Sequence, residues 1–361
     1  MTALRPMELG GVAPADATAT VQLEVGASTG SASMSVPIPL TAGRDGHGPT
    51  LSLSYGGHDP LSPLPHGWSL TGLPSVELDT RRGLPRYDGT DTHRFAGAEL
   101  VPLDEPERTT AWTEGTYDVR VFRPRMETAA ARIERWTERG SRRVHWRART
   151  PDGGVMVFGR SDEARLADGE RVYRWLLEAS FDRLGNAMWV RYRGEDDASV
   201  DPLGLDATRF ASAIANRYVD RILYGNAAPL AVHDALAPAR WHFEAVLDYG
   251  DYDAEPTPAR SWPVRPDVGM TGRPGFEVRT RRLCRRVMMF HRFEAELGAA
   301  FTLVGALELR VREAPEGSEL QAVRYVGHRD RERVETPWAE VAYTTRTGDD
   351  AFEARDRDAL R

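Results

Sequence analysis

Val172–Tyr192 reads VYRWLLEASFDRLGNAMWVRY. Val172, Tyr173, Trp175, Leu176 and Leu177 lead into Phe181, and Ala187–Tyr192 is a second run rich in apolar and aromatic residues. Such residues favour a pleated, half-buried surface. Between the runs stands Asp182-Arg183-Leu184-Gly185-Asn186. Gly185 and Asn186 tolerate the positive φ that a tight turn demands. The stretch predicts a β-hairpin, and a hairpin needs further strands beside it.

Those strands are legible on both sides. Arg143–Thr150 places Val144, Trp146 and Ala148 on one face, and Pro151-Asp152-Gly153-Gly154 turns it onto Val155–Gly159. Asp-Gly-Gly between alternating runs is a strong hairpin signal. Upstream, Leu51–Tyr55 alternates between glycines, Trp68 opens a short run, and Ser35–Leu40 carries prolines that suit an edge or extended piece. Val119–Arg123 and 131–137 continue the pattern, with 131–137 also compatible with one helical turn. Downstream, residues 211–226 are expected to end in a strand, and Trp241–Tyr249, Phe301–Val311, Ala322–Val326 and Ala339–Thr345 follow. No segment holds long helical periodicity, so the chain is expected to be all-β with few short helices. Residues 1–33 are expected to be a flexible lead-in with a short strand at Val21–Val25, 34–345 one β domain, and 346–361 a charged tail or linker.

Composition narrows the function classes. The 361 residues hold 41% hydrophobic and 28% charged residues, a globular balance. A net charge of −7 argues against a general coat for nucleic-acid phosphates. All 47 basic residues are arginine, which suits paired, half-buried charges better than lysine. Cys284 stands alone, so no intrachain disulfide forms. The N-terminus lacks the apolar core of a secretory signal, and no 18-residue apolar run exists, so membrane insertion is not expected.

Gly272–Phe293, GRPGFEVRTRRLCRRVMMFHRF, concentrates those arginines among apolar residues. As a strand it would place Phe276, Val278 and Thr280 on one face and Glu277, Arg279 and Arg281 on the other. Beyond Arg282, apolar residues on both faces predict double burial, although Leu283, Val287 and Phe290 also fit helical spacing. As a strand, its arginines Arg279, Arg281, Arg282, Arg285 and Arg286 must pair or reach water, with Glu244 and Asp248 of adjacent strands as candidate partners. An exposed, unpaired row would instead point to an anion site.

Catalytic and metal patterns are sparse. His47, His58 and His66 match no ligand spacing. Asp248, Asp251 and Asp253 cluster in too short a loop for a twelve-residue calcium site. Glu294-Ala295-Glu296 and Glu105-Pro106-Glu107 match the E-x-E of ADP-ribosyltransferases without the supporting Ser-Thr-Ser strand. Cys284 has no His/Asn partner and reads as packing. The nine tryptophans suit core and interface anchors as well as a glycan surface. No catalytic residue, cofactor or metal is expected, and the chain is expected not to be an enzyme.

Several stretches together resemble the SpvB-type N-terminal domain, shared by the B component of insecticidal Tc toxin complexes and related virulence proteins. They are GRDGHGPTLSLSYGG with HGWSLTGLPSVE, RRGLPRYDGTD, FRPRMETAAARIERW, YRWLLEASFDRLGNAMWVRYRGED, ANRYVDRILYGN, FEAVLDYGDYD and PGFEVRTRRLCRRVMMFHRF, in the family's order. The strand, D-x-x-G-N turn and strand ending in Tyr192 also resembles one YD (RHS-type) unit. The resemblance implies twisted antiparallel sheets forming part of a hollow shell that holds and helps deliver a toxic C-terminal peptide. It implies propeller and RHS shell components, a C component and a pore-forming A component as partners, with no nucleic acid. It also implies release from the bacterium without a signal peptide. The structural or interface candidates are Phe276, Arg279, Arg281, Arg282, Cys284, Arg285, Arg286, Trp68, Gly185 and Asn186. A degenerate ADP-ribosyltransferase and a glycan-binding module are the alternatives.

Overall fold

The computed structural model describes residues 22–25, 32–56, 59–112, 115–126, 131–200, 214–329 and 332–343. Their regular structure is almost wholly strand, apart from a 3-10 turn at Arg44–Gly46 and one helical turn at Glu294–Leu297.

Eight antiparallel strands close into a ring. They are Ser75–Leu78, His93–Phe95, Ala98–Pro102, Gly115–Pro124, Arg132–Glu138, Val144–Arg149, Val155–Phe158 and Arg171–Phe181, each paired with the next and the last paired back onto the first. A ring this small is just wide enough to be filled by its own side chains. Trp146 packs against Phe122 with centroids 5.2 Å apart and against Trp175 at 6.1 Å. His93 lies 4.8 Å from the Trp146 ring, and Phe95 meets Phe158 edge-on at 5.6 Å. The barrel is therefore a solid core.

Arg171–Phe181 joins this barrel to the rest of the molecule. Its second half pairs with Val155–Phe158 on one edge and with Ala187–Gly194 on the other, completing the hairpin expected from the sequence. Its first half pairs with Arg165–Asp168 and with Ser75–Leu78. From the hairpin, antiparallel pairing runs on through Arg217–Asn226, Trp241–Asp248, Arg286–His291, Thr302–Arg312 and Glu319–Arg329. Two short strands, Glu332–Glu335 and Ala339–Glu340, pair with the last of these. The segment at 131–137 is strand and not a helical turn.

A separate four-stranded sheet orders Gln22–Val25, Ala32–Pro37, Ser52–Tyr55 and Trp68–Thr71 consecutively. Ala32–Pro37 is thus an inner strand and not an edge; its proline sits at the last position, where the missing N–H costs least. Trp68 is buried there and donates Nε1–H to the Tyr343 hydroxyl at 2.9 Å. Tyr325 donates to the Pro37 carbonyl at 2.6 Å, tying this sheet to the large one. Residues 1–21 and 26–31 of the expected lead-in, and the whole expected tail 346–361, lie outside the described residues.

The Gly272–Phe293 stretch departs from a single strand. Val278–Thr280 pairs with Gly269–Thr271 in its own two-stranded sheet, and Arg286–His291 joins the large sheet. Residues 281–285 between them are not strand. The second half is strand, not helix, and its centre is buried on both faces.

Two stability predictions follow from this core. Trp146→Ala should cost about 3–5 kcal/mol in urea unfolding, as expected for truncating a fully buried large aromatic. The second concerns histidine. Burial holds His93 down to about 3, and holds His145 well below its ordinary value. Between the folded and unfolded values the unfolded chain binds more protons, so stability must fall as pH drops below about 6.5. Urea midpoints should decline from pH 7 to pH 5, with a shallower decline in His145→Gln.

Candidate functional site

The arginines of Gly272–Phe293 lie where the barrel's hairpin meets the large sheet, and Arg282 is their centre. Its side chain and that of Glu195 are both fully buried, with Nε donating to Oε1 at 2.8 Å. Nη1 donates to the carbonyls of Ala198 and Trp262, each at 2.9 Å, and Nη2 to the carbonyl and Oδ1 of Asp196, each at 2.9 Å. All five guanidinium protons are thereby placed. The Trp262 ring lies under the cation at 4.4 Å, with Arg193 on the same ring at 3.5 Å. Tyr218 donates to the other Glu195 oxygen at 2.6 Å, and the Arg281 amide donates to that hydroxyl at 3.0 Å.

The flanking arginines are spent locally. Arg279 pairs with Glu277, and Arg285 with Glu313. Arg286 donates Nε–H to Asp248 at 2.6 Å, and Arg292 donates Nε–H to Glu244 at 2.7 Å. The two acids singled out in the sequence therefore do receive arginines of this stretch, across the register that pairs Asp248 with Arg286. Arg281 is buried as well. An exposed arginine row, the condition for an anion site here, is not what forms.

The other candidates take structural positions. Phe276 packs against Tyr87 at 6.4 Å with Arg171 over its ring, and the Tyr87 hydroxyl donates to the Pro274 carbonyl at 2.5 Å. Cys284 is buried and its thiol is pushed up to about 12 by burial, so it remains an unreactive thiol. Gly185 has φ +81°, and a Cβ there would meet Pro229 Cβ at 2.8 Å. The Asn186 amide N–H and side chain both donate to Asp182, at 2.8 and 2.7 Å. Gly185, Asn186 and Trp68 stand apart from the Arg282 cluster in turn and core roles.

The remaining acidic candidates have partners or positions of their own. Asp248 accepts from the amides of Gly250, Asp251 and Tyr252, and Asp251 accepts from Arg193 at 2.6 Å. No group of three potential metal ligands occurs among the described residues, and His58 lies outside them. Glu294 and Glu296 sit on the exposed helical turn, and Glu105 binds Arg132. Among the described residues no helix is long and apolar enough to cross a membrane.

Two arrangements were not read from the sequence. Arg147 is buried between Trp112 and Trp136, at 3.9 and 3.7 Å from the ring centroids, with Nε donating to His145. Arg135 faces into the barrel mouth. Alternation of Ile133, Arg135 and Thr137 was the available signal, but only ring closure gives that face an inside.

Comparison with known proteins places this geometry. Residues 26–293 match the family model described as SpvB, Salmonella virulence plasmid 65kDa B protein. The mono(ADP-ribosyl)transferase SpvB of Salmonella choleraesuis is 32% identical over 314 residues, 80% of this chain. The chain spans about half the length of that relative, 52%. The solved N-terminal domain of the effector SpvB from Salmonella typhimurium superposes with TM-score 0.75 at 30% identity, covering 82% of this chain and 98% of that one. The TcdB2–TccC3 structure gives 0.83 at 32% identity, and the Photorhabdus luminescens Tc holotoxin pore 0.82 at 31%. Each covers 95% of this chain and 17% of the other. These names correct one expectation. The chain was expected not to be an enzyme, yet its curated relatives are named mono(ADP-ribosyl)transferases.

Arg282→Met should cost about 3–5 kcal/mol in urea unfolding, because it leaves Glu195 buried without its cation. Adding Glu195→Gln should restore part of the loss. Arg282→Lys should rescue little, since one ammonium cannot serve five separate acceptors.

Proposed function

The chain belongs to the SpvB family, and we propose that it serves as a rigid wall module of a Tc-type toxin or related effector, helping to enclose and deliver a toxic C-terminal peptide. The observation that supports this most is continuity of pairing. From Arg171–Phe181 the large sheet runs without a break in hydrogen bonding to Glu319–Arg329, anchored at one end by a solid barrel. A sheet braced in this way suits enclosure, because it holds its shape without a ligand. The module corresponds to residues 34–345, and the Arg282 cluster keeps it rigid. The candidate residues, Phe276 through Arg286 with Trp68, Gly185 and Asn186, act by holding shape.

The free margin of the wall is the natural place for the next component. Among the described residues, Glu332–Glu335 and Ala339–Glu340 pair only with Glu319–Arg329. Strand addition to such an edge is a common way for chains to join. The partners in this reading are propeller and RHS shell components, a C component and a pore-forming A component. Release from the bacterium would follow the route of the assembled complex. The transferase named for the curated relatives supplies a second reading, in which this chain works beside or within an ADP-ribosylating protein.

Co-expression with propeller- and RHS-bearing Tc components should yield a stable particle on size exclusion. Light scattering of the chain alone should show self-association through its free edge. A chain that stays monomeric alone and elutes apart from every such mixture overturns the wall reading. Transfer of labelled ADP-ribose by this chain alone would favour the second.

A further inference from the structure

The mouth of the eight-stranded barrel holds a cavity of about 740 Å³, within the range of small-molecule sites. Its cations and its acids are not matched. Asp162 is engaged by Arg143 and Arg165, and Asp91 accepts the backbone amides of Arg86 and Tyr87. Arg165 and Arg217 are further satisfied by backbone carbonyls. Glu170 stands exposed on the rim.

Arg135 is different. It points inward from Arg132–Glu138, on the same face as Ile133. Among the described residues its guanidinium makes no hydrogen bond and no ion pair, and its Nε is shielded from water. Burial first, then the like charge of Arg120 and more weakly that of Arg142, hold the Arg135 guanidinium below its ordinary value; Glu107, which outweighs Arg142, opposes them. Arg142 on the rim is likewise without an ion pair among the described residues. A half-buried, unpaired cation beside two others is costly to keep. A residue there for packing alone would be better neutral. The same cavity is lined by the uncharged rings of Trp175, Tyr87 and the neutral His93.

We propose that the barrel mouth binds a small molecule carrying an oxyanion group next to a planar ring, with Arg135 and Arg142 gripping the anion and Trp175 and Tyr87 flanking the ring. The guanidinium fork matches phosphate and carboxylate alike. This site is independent of the wall reading and stands or falls separately.

The test is calorimetry on the full chain at low salt with phenyl phosphate, benzoate and inorganic phosphate as probes. Phenyl phosphate or benzoate should bind saturably and more tightly than inorganic phosphate, and which of the two is tighter identifies the anion. Arg135→Gln should weaken binding by about tenfold or more, the scale of one lost charge-assisted contact. Without a probe it should unfold at or above the wild-type urea midpoint, since it removes an uncompensated charge. Arg142→Gln, on the exposed rim, should weaken binding severalfold with no effect on folding, and it carries the test should Arg135→Gln fail to fold. Absence of saturable binding by all three probes, or wild-type affinity in Arg142→Gln and in any folded Arg135→Gln, overturns the proposal.

Discussion

A guanidinium with no access to water must have every proton placed, and Arg282 imposes that condition on three separate segments at once. Glu195 and Asp196 follow the hairpin, Trp262 belongs to the long loop after Trp241–Asp248, and Arg282 itself follows Val278–Thr280. None of these can move without stranding a buried charge. Burying an ion pair is weak evidence of net stability, because desolvation offsets much of the attraction. What it supplies is position: the loop after the hairpin, the long loop and the arginine-rich segment have one mutual arrangement in which all donors are met. Apolar packing at the same junction would tolerate sliding.

The strand Arg171–Phe181 carries the same logic into the backbone. It gives its two edges to four other strands, two belonging to the rest of the barrel, one to the sheet and one to a short flap. Barrel and sheet are thus one hydrogen-bonded body. Aromatic filling of the barrel and double burial of Arg286–His291 stiffen the two sides of that junction.

How much of this was legible depended on how local its cause was. The hairpin was legible because Gly185 and Asn186 announce the turn and apolar runs flank it. The pairing of Arg286 with Asp248 was legible from alternation, since adjacent strands in register bring those residues together; Glu244 instead takes Arg292, which lies past the end of that strand. Glu195 as the partner of Arg282 was not, because it comes from a loop far along the chain and no period points to it. Nor was the break at residues 281–285: the run alternates acceptably as a strand, and only the demand of Arg282 for loop carbonyls bends it away. Closure of the ring was equally hidden. Val155–Phe158 bypasses its sequence neighbour Arg165–Asp168 to complete the barrel with Arg171–Phe181, a choice made by tertiary packing. The inward arginine at 135 followed from that closure and was missed with it.

Ring closure also sets a timetable for synthesis. Ser75–Leu78 leaves the ribosome long before Arg171–Phe181, the strand that must seal its open edge. Through that interval the nascent barrel is an incomplete sheet, with Trp146 lacking its neighbour Trp175. Arg282, which fixes the loop after the hairpin, emerges later still. Non-local closures of this kind are slow and expose sticky intermediates. The chain therefore has a built-in window of vulnerability during translation.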